Sequence, residues 1–352
     1  MTLHAVLLRG LLLAALLAGG GGSAPPLQRA GPAPPLPSPR PRVHLASYAA
    51  CTSAARLPAF AAEARATGFF DAVSALRPAD LDASFSAQHA ALLAAEPPTR
   101  GCGYWLWKPQ AALQVLRAMR PGDVMVYADA GASLHAENCA RFWEYVALAA
   151  ANPTKVLSFE MAHARAPADA AWAKADAAAA MGLAVNGSEM RSPQLHATYF
   201  FMARSPQNVA LLAEWRDLAG AQGYHLLDDS ASQLPNGAGF IEHRHDQALF
   251  SLLRKKRGAA LVVPDDAQEG GAPIQATRCR TGTEAACALR RLKEALWVWA
   301  RDELPGLEDT RQRDARRDCD ARRPGAGGGA PWKHVRVPRL GAMTAAARGF
   351  LR

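Results

Sequence analysis

Short apolar runs alternate with stretches of helical spacing through the middle of the chain. The run "RVHLASYAA" from Arg42 has strand length and an early place that suits a first core strand, and helical material follows from Leu57 to Ala66. "LDASFSAQHAALLAAEPP" reads as a helix stopped by Pro97, and "QAALQVLRAM" after Pro109 as a helix ending at the "RPGD" turn. An apolar strand from Val124 to Tyr127 then runs into Asp129 and Gly131. "CARFWEYVALAAAN" is the next helix, and "KVLSFEMAH" and "ATYFFMARS" are the next strands. The helix "NVALLAEWRDLAG" follows, and "GFIEHRHDQALFSLLRKKRGAALVVPDD" supplies a loop, a helix and a strand.

Strands alternating with helices predict an α/β fold, a largely parallel sheet covered on both faces. Ligands of such sheets bind beyond the carboxyl ends of strands, and Asp129 stands at one. "CALRRLKEALWVWARDEL" predicts an amphipathic helix that packs on the body or lies on a membrane surface. The leader "MTLHAVLLRGLLLAALLAGGGGSAPP" has the layout of a secretory signal, with a short type II anchor next and an organellar transit peptide third. The chain divides into a leader at 1–22, a Pro/Gly-rich linker at 23–42, a domain at 43–264, a helical extension at 265–305 and a basic tail with few core residues, expected to be disordered, at 306–352.

The net charge of +9 invites a nucleic-acid reading, but residues 264–352 hold 17 basic and 12 acidic side chains, so +5 of the total lies there and the body is nearly balanced. No zinc-finger spacing, RNP-like aromatic run or basic heptad helix occurs, which argues against nucleic acid. The six cysteines show no CxxC. Cys279 with Cys287 is the simplest pairing in an oxidising lumen, and free buried thiols are the other reading of Cys51, Cys102 and Cys139. Asn186 heads an "NGS" sequon, a glycosylation acceptor that fits a surface loop on a secretory route.

Three stretches carry candidate chemistry. Asp129, after four apolar residues and before Ala-Gly, is placed to hold a hard divalent cation while Gly131 lets a phosphate or sugar approach the backbone; a strand-ending turn aspartate is the plainer alternative. "EHRHDQ", Glu242 to Gln247, crowds six polar groups at a helix mouth, where side chains can ligate metal or move protons. "GCGYWLWKP", residues 101–109, gathers two tryptophans and a tyrosine whose faces suit sugar rings and bases. "WAKAD", with Trp172, Lys174 and Asp176, reads equally as the start of a surface helix, and "RKKR", Arg254 to Arg257, as a solvated helix end. No GxSxG, GxGxxG or GxxxxGK[ST] occurs, which argues against α/β-hydrolase, dinucleotide and P-loop sites.

In order, "GYWLWKP", "GDVMVYADAG", "WAKAD", Glu214-Trp215 and "EHRHDQALFSLL" resemble a family of GT-A type glycosyltransferase-like proteins of capsule and cell-surface glycan synthesis, over about residues 42–264. The resemblance implies a Rossmann-like GT-A fold that moves a sugar from a nucleotide-sugar donor to a glycan or glycoprotein acceptor in the secretory pathway, in the Golgi or secreted. It implies a divalent metal, Mn²⁺ or Mg²⁺, on Asp129. The chain has glycine where such enzymes carry the second aspartate, so His243 or His245 is the expected further ligand. Asp246, with His245, is then expected to handle the acceptor proton. Tyr104, Trp107, Lys108, Gly131, Lys174 and Arg244 are expected to bind the donor, with Trp105 anchoring the loop, since alternate residues of an extended segment face opposite sides. A non-catalytic glycan-binding or scaffolding domain of the same fold is the alternative.

Overall fold

The computed structural model describes residues 27–161, 168–258, 261–264 and 272–276. The leader, most of the helical extension, the tail and the cysteines 279, 287 and 319 lie outside the described residues. The strands are β1 (Gln28–Arg29), β2 (Val43–Tyr48), β3 (Ala72–Leu76), β4 (Val124–Ala128), β5 (Ser133–Leu134), β6 (Val156–Glu160), β7 (Tyr199–Ala203), β8 (Leu261–Pro264) and β9 (Ile274–Gln275). The principal helices are α1 (Leu57–Thr67), α2 (Trp107–Ala118), α3 (Cys139–Ala151), α4 (Ala175–Ala180), α5 (Pro206–Gly220) and α6 (His245–Lys256).

Seven strands form one sheet in the order β1-β8-β6-β7-β4-β2-β3, and β5 pairs with β9 apart from it. Side chains along β4 alternate as a pleat requires. Val124, Val126 and Ala128 enter a core layer with α1 and α3, while Met125 and Tyr127 enter the opposite layer with α2, α5 and α6. The expected α/β architecture with helices on both faces is thus observed. The sheet is mixed, since β7 runs antiparallel to both neighbours, β4 and β6.

Two segments join the body beyond the expected boundaries. In the Pro/Gly-rich stretch, β1 pairs with β8, Leu36 packs on the α1/α3 layer and Arg40 makes a two-pronged ion pair with Asp71. Beyond 264, β9 closes on β5. Among the described residues no helix is long and apolar enough to cross a membrane.

The strand order positions the site. From β2 the chain crosses over α1 to β3 on one side, then returns through α2 to β4 on the other side of β2, with both pairings parallel. The crevice beyond the carboxyl ends of β2 and β4 is therefore a topological switch point, where loops diverge and leave room for a ligand.

Candidate functional site

A cleft of about 700 Å³ opens at this switch point. Its floor is the end of β2, Tyr48 to Ser53, and the end of β4, Asp129 to Gly131. One wall is the loop that enters α2 and the other is the mouth of α6, Glu242 to Gln247. The fold brings together Trp107, Lys108, Asp129, Gly131, Arg244, His245 and Asp246 from the sequence-predicted set, with Trp105 beside them. A Cβ at Gly131 would meet no atom within 4 Å, so the backbone there is open to approach.

At the centre three charges meet. Lys108, on the first turn of α2, has a buried ammonium 2.7 Å from Asp246 Oδ2 and 3.2 Å from Asp129 Oδ1, and it donates to the Ala197 carbonyl at 3.2 Å. The Asp246 contact is an ion pair off the hydrogen-bond axis. The Tyr127 hydroxyl donates to Asp129 Oδ1 at 3.0 Å, and its ring lies 5.6 Å from the Lys108 ammonium. Burial alone would push Lys108 down, but Asp129 and Asp246 outweigh it and hold the ammonium above the ordinary lysine value. Burial raises the Asp246 carboxyl above the usual carboxylate range, against the pull of Lys108, and it raises Tyr127 well above an ordinary phenol. The Asp246 side chain is only 6% exposed and that of Asp129 23%, so Asp129 presents the accessible carboxylate.

His245 lines the cleft with little to offer as an acid or base. Its Nδ1–H donates to the Leu227 carbonyl at 2.8 Å, which fixes the tautomer because a carbonyl only accepts. Nε2 is fully buried, 3.5 Å from Asp229 Oδ1, and the ring stacks on Tyr104. His245 thus packs the α6 mouth, and Tyr104 stands behind it rather than in the cleft wall. His243, an expected metal ligand, has both nitrogens engaged: Nε2 with the Leu226 carbonyl and Nδ1 with the Lys174 backbone N–H. Lys174 points away from the cleft as well, donating to the His225 carbonyl, Asp228 and Ser230. With Asp176, which accepts from the Gln233 and Leu234 amides, it lashes down the 225–236 loop, so "WAKAD" is a buried clamp rather than a surface helix start.

These facts decide the fit of a metal. A hard divalent ion wants six or more oxygen ligands, several of them from side chains. Here the two carboxylates at the centre already surround an ammonium, Glu242 at the wall is paired with Arg100 and Arg244, and His243 has no free lone pair. Among the described residues no group of three or more His, Cys, Asp or Glu side chains could hold a metal ion. The residues present do not fit the expected Mn²⁺ or Mg²⁺.

The aromatic loop differs from the extended segment expected. Gly101, Cys102, Gly103, Tyr104 and Trp105 all have positive φ, between 51° and 96°, a left-handed turn that leads into α2. Such backbone costs about 1–2 kcal/mol per non-glycine residue, so it must be held from outside. The Cys51–Cys102 disulfide ties it to the end of β2, Thr99 Oγ accepts from the Gly103 amide at 2.8 Å, and Trp107 Nε1 donates to the Gly101 carbonyl at 2.9 Å. A Cβ on Gly101 would come within 2.2 Å of the Trp105 ring, so glycine is required there. Both tryptophans face the cleft, with Trp107 stacked on Tyr48 at 4.2 Å. The pairing was not legible in the spacing; Cys139 is disulfide-bonded too, which corrects the free-thiol reading of all three.

Sequence reasoning missed Arg56 and Arg100, which bring two more guanidinium groups to the cleft, paired with Glu63 and with Asp229 and Glu242. Their only sequence signal is an arginine beside each cysteine segment. Arg244 stacks over Trp172 at 3.7 Å. Asn186 is exposed in a turn and is not among the cleft-lining residues.

Burial depresses His89, His243 and His245 below the ordinary histidine value, so each is held neutral in the folded chain. An unfolded chain would protonate them near pH 6.5, so this stability is fully present above about pH 6.5 and drains as pH falls below it. Urea denaturation should show a steady loss between about pH 7 and 5, shallower in His243→Gln; an unchanged slope in that variant would remove His243 from the account.

Comparison with known proteins finds no family model that matches the chain and no curated protein that matches it, so the meaning of this cleft rests on its own geometry.

Proposed function

We propose that the chain is a glycosyltransferase of the secretory pathway that moves a sugar from a nucleotide-sugar donor to a glycan or glycoprotein acceptor. The observation that carries this reading is the composition of the switch-point cleft: aromatic faces of Tyr48, Trp105 and Trp107, guanidinium groups of Arg56, Arg100 and Arg244, and the accessible carboxylate of Asp129 at the strand end, in a single wall-to-wall space. Aromatic faces suit a sugar and a base, and arginines suit a diphosphate. The leader pattern, the Cys51–Cys102 disulfide and the exposed sequon support an oxidising, lumenal setting.

In the reaction the acceptor oxygen bonds to the donor's anomeric carbon. The bond from that carbon to the β-phosphate oxygen breaks, and the nucleoside diphosphate leaves with the electron pair. The acceptor hydroxyl's proton goes to Asp129, which Tyr127 and Lys108 hold in place. The cleft arginines stabilise the charge developing on the diphosphate. Asp246 fixes Lys108, and His245 packs the helix mouth.

The test is to incubate the full-length chain with a panel of nucleotide sugars and oligosaccharide acceptors and to follow nucleotide release and product mass. Release that depends on acceptor and disappears in Trp107→Ala is expected. A panel in which no nucleotide sugar or nucleoside diphosphate raises the Tm, and none turns over, would leave a glycan-binding domain as the reading of the same cleft.

A further inference from the structure

We propose that Lys108 is a built-in cation, occupying the position between Asp129 and Asp246 that a divalent ion would take, so that the cleft handles a nucleoside diphosphate without a bound metal. The diphosphate part of this inference rests on the transferase reading; the lysine part does not.

Three observations lead to it. The ammonium lies between the two carboxylates, 3.2 Å from one and 2.7 Å from the other, on a side chain only 3% exposed. Its third contact is the Ala197 carbonyl, so three oxygens surround it, two of them accepting hydrogen bonds and the third, on Asp246, an ion-pair partner. Tyr127 completes the arrangement by donating to the same Asp129 oxygen and placing its ring beneath the ammonium. A strand-end aspartate, a helix-mouth aspartate and a carbonyl are the ligand types a hard cation takes. Here they are gathered on a positive charge that is covalently part of α2.

A second cation beside this one would face an ammonium in a poorly solvated place, where like charges repel strongly. The lysine therefore excludes a metal as well as replacing it. Enclosed by these three oxygens and only 3% exposed, it acts on a ligand through its charge and through the fixed orientation of Asp129. Direct contact with diphosphate oxygens falls to Arg56, Arg100 and Arg244, which line the same cleft.

The test pairs two measurements on the full-length chain. In the first, Mn²⁺ is titrated by water-proton relaxation into wild type, Lys108→Met and Lys108→Met with Asp129→Asn. Wild type should show no Mn²⁺ site that Asp129→Asn abolishes. Lys108→Met should bind Mn²⁺ at least tenfold tighter than wild type and gain Tm with it, and the added Asp129→Asn should remove the gain. Mn²⁺ binding to wild type that Asp129→Asn removes, or a folded Lys108→Met that gains none, overturns the proposal. If Lys108→Met does not fold, wild type against Asp129→Asn still decides.

In the second, binding of uridine, guanosine and adenosine diphosphates to wild type is measured in EDTA and in Mn²⁺. Affinities within threefold in the two conditions are expected. A tenfold loss in EDTA that Mn²⁺ restores would overturn the proposal. If no nucleoside diphosphate binds in either condition, the transferase reading fails on that result, while the Mn²⁺ titration still decides what Lys108 does.

Discussion

Asp129→Asn is expected to lower sugar transfer by about 10²- to 10⁴-fold with little change in donor KM and no loss of Tm. The substitution keeps the size of the side chain and keeps an oxygen for the Tyr127 hydroxyl and the Lys108 ammonium, so the cleft's shape should survive. It removes the negative charge and, with it, the capacity to take a proton. The stability of the fold should also hold, because Lys108 now sits between two carboxylates, and losing one charge leaves a balanced pair with Asp246. Asp246→Asn makes the contrast. That side chain is more deeply buried and holds the shorter contact to Lys108, so its loss should reduce Tm as well as turnover. Activity of Asp129→Asn within threefold of wild type, measured as product formed per folded enzyme, would move the proton to another group.

Much of this architecture was legible in the chain. The apolar runs at Val43, Val124, Val156 and Tyr199 and the helical spacing between them give strands and helices close to those observed, because both periods are local properties of the sequence. Strand direction is not local. The β7 run reads the same whichever way it points, and only the pairing with Ala128 and Val124 across the sheet shows it antiparallel.

The site was legible in part for the same reason. "DAG" and "HRHDQ" announce themselves as polar groups at element ends, and the fold does bring Asp129 and Asp246 together. What joins them is a lysine on a different helix, and no spacing rule places Lys108 between them. The left-handed turn at 101–105 could not be read from composition either, since two of its five residues are aromatic and would favour extended backbone if nothing held them.

The "RKKR" segment shows the limit most clearly. Lys256 and Arg257 are the solvated helix-end charges expected, paired with Glu214. Arg254 and Lys255 are buried instead, and burial lowers Arg254 to about 10. The charge that makes burial of Lys255 tolerable, Asp169, is itself fully buried and lies in a stretch of alanines with no pattern to mark it.

Asp169→Ala is accordingly expected to destabilise the protein by about 3–5 kcal/mol, the usual result of leaving one partner of a buried ion pair alone. Asp169 Oδ2 accepts from Lys255 Nζ and Ser251 Oγ, both at 2.6 Å, and Oδ1 accepts from Gln194 Nε2 at 2.8 Å. Three donors on two elements thus converge on one carboxylate, and its removal leaves all three to find substitutes. Lys255→Met should cost less, because Ser251 and Gln194 still satisfy the aspartate. The double variant Asp169→Ala, Lys255→Met should cost less than the two single changes together, by about 2–3 kcal/mol in a urea-denaturation cycle. The pH dependence gives an independent check. Burial already lowers Lys255 below the ordinary lysine value against the pull of Asp169. Without Asp169 the depression deepens, the unfolded chain binds the extra proton, and the loss of stability in Asp169→Ala should shrink as pH rises from about 7 to 9. A penalty unchanged over that range would mean that the stranded ammonium has found another counter-charge. The effect should reach the cleft as well: Gln194 Oε1 accepts from Gln247 Nε2 at 2.7 Å, and Gln247 lines the cleft beside Asp246, so the loss of Asp169 loosens the wall that holds the Lys108 cluster.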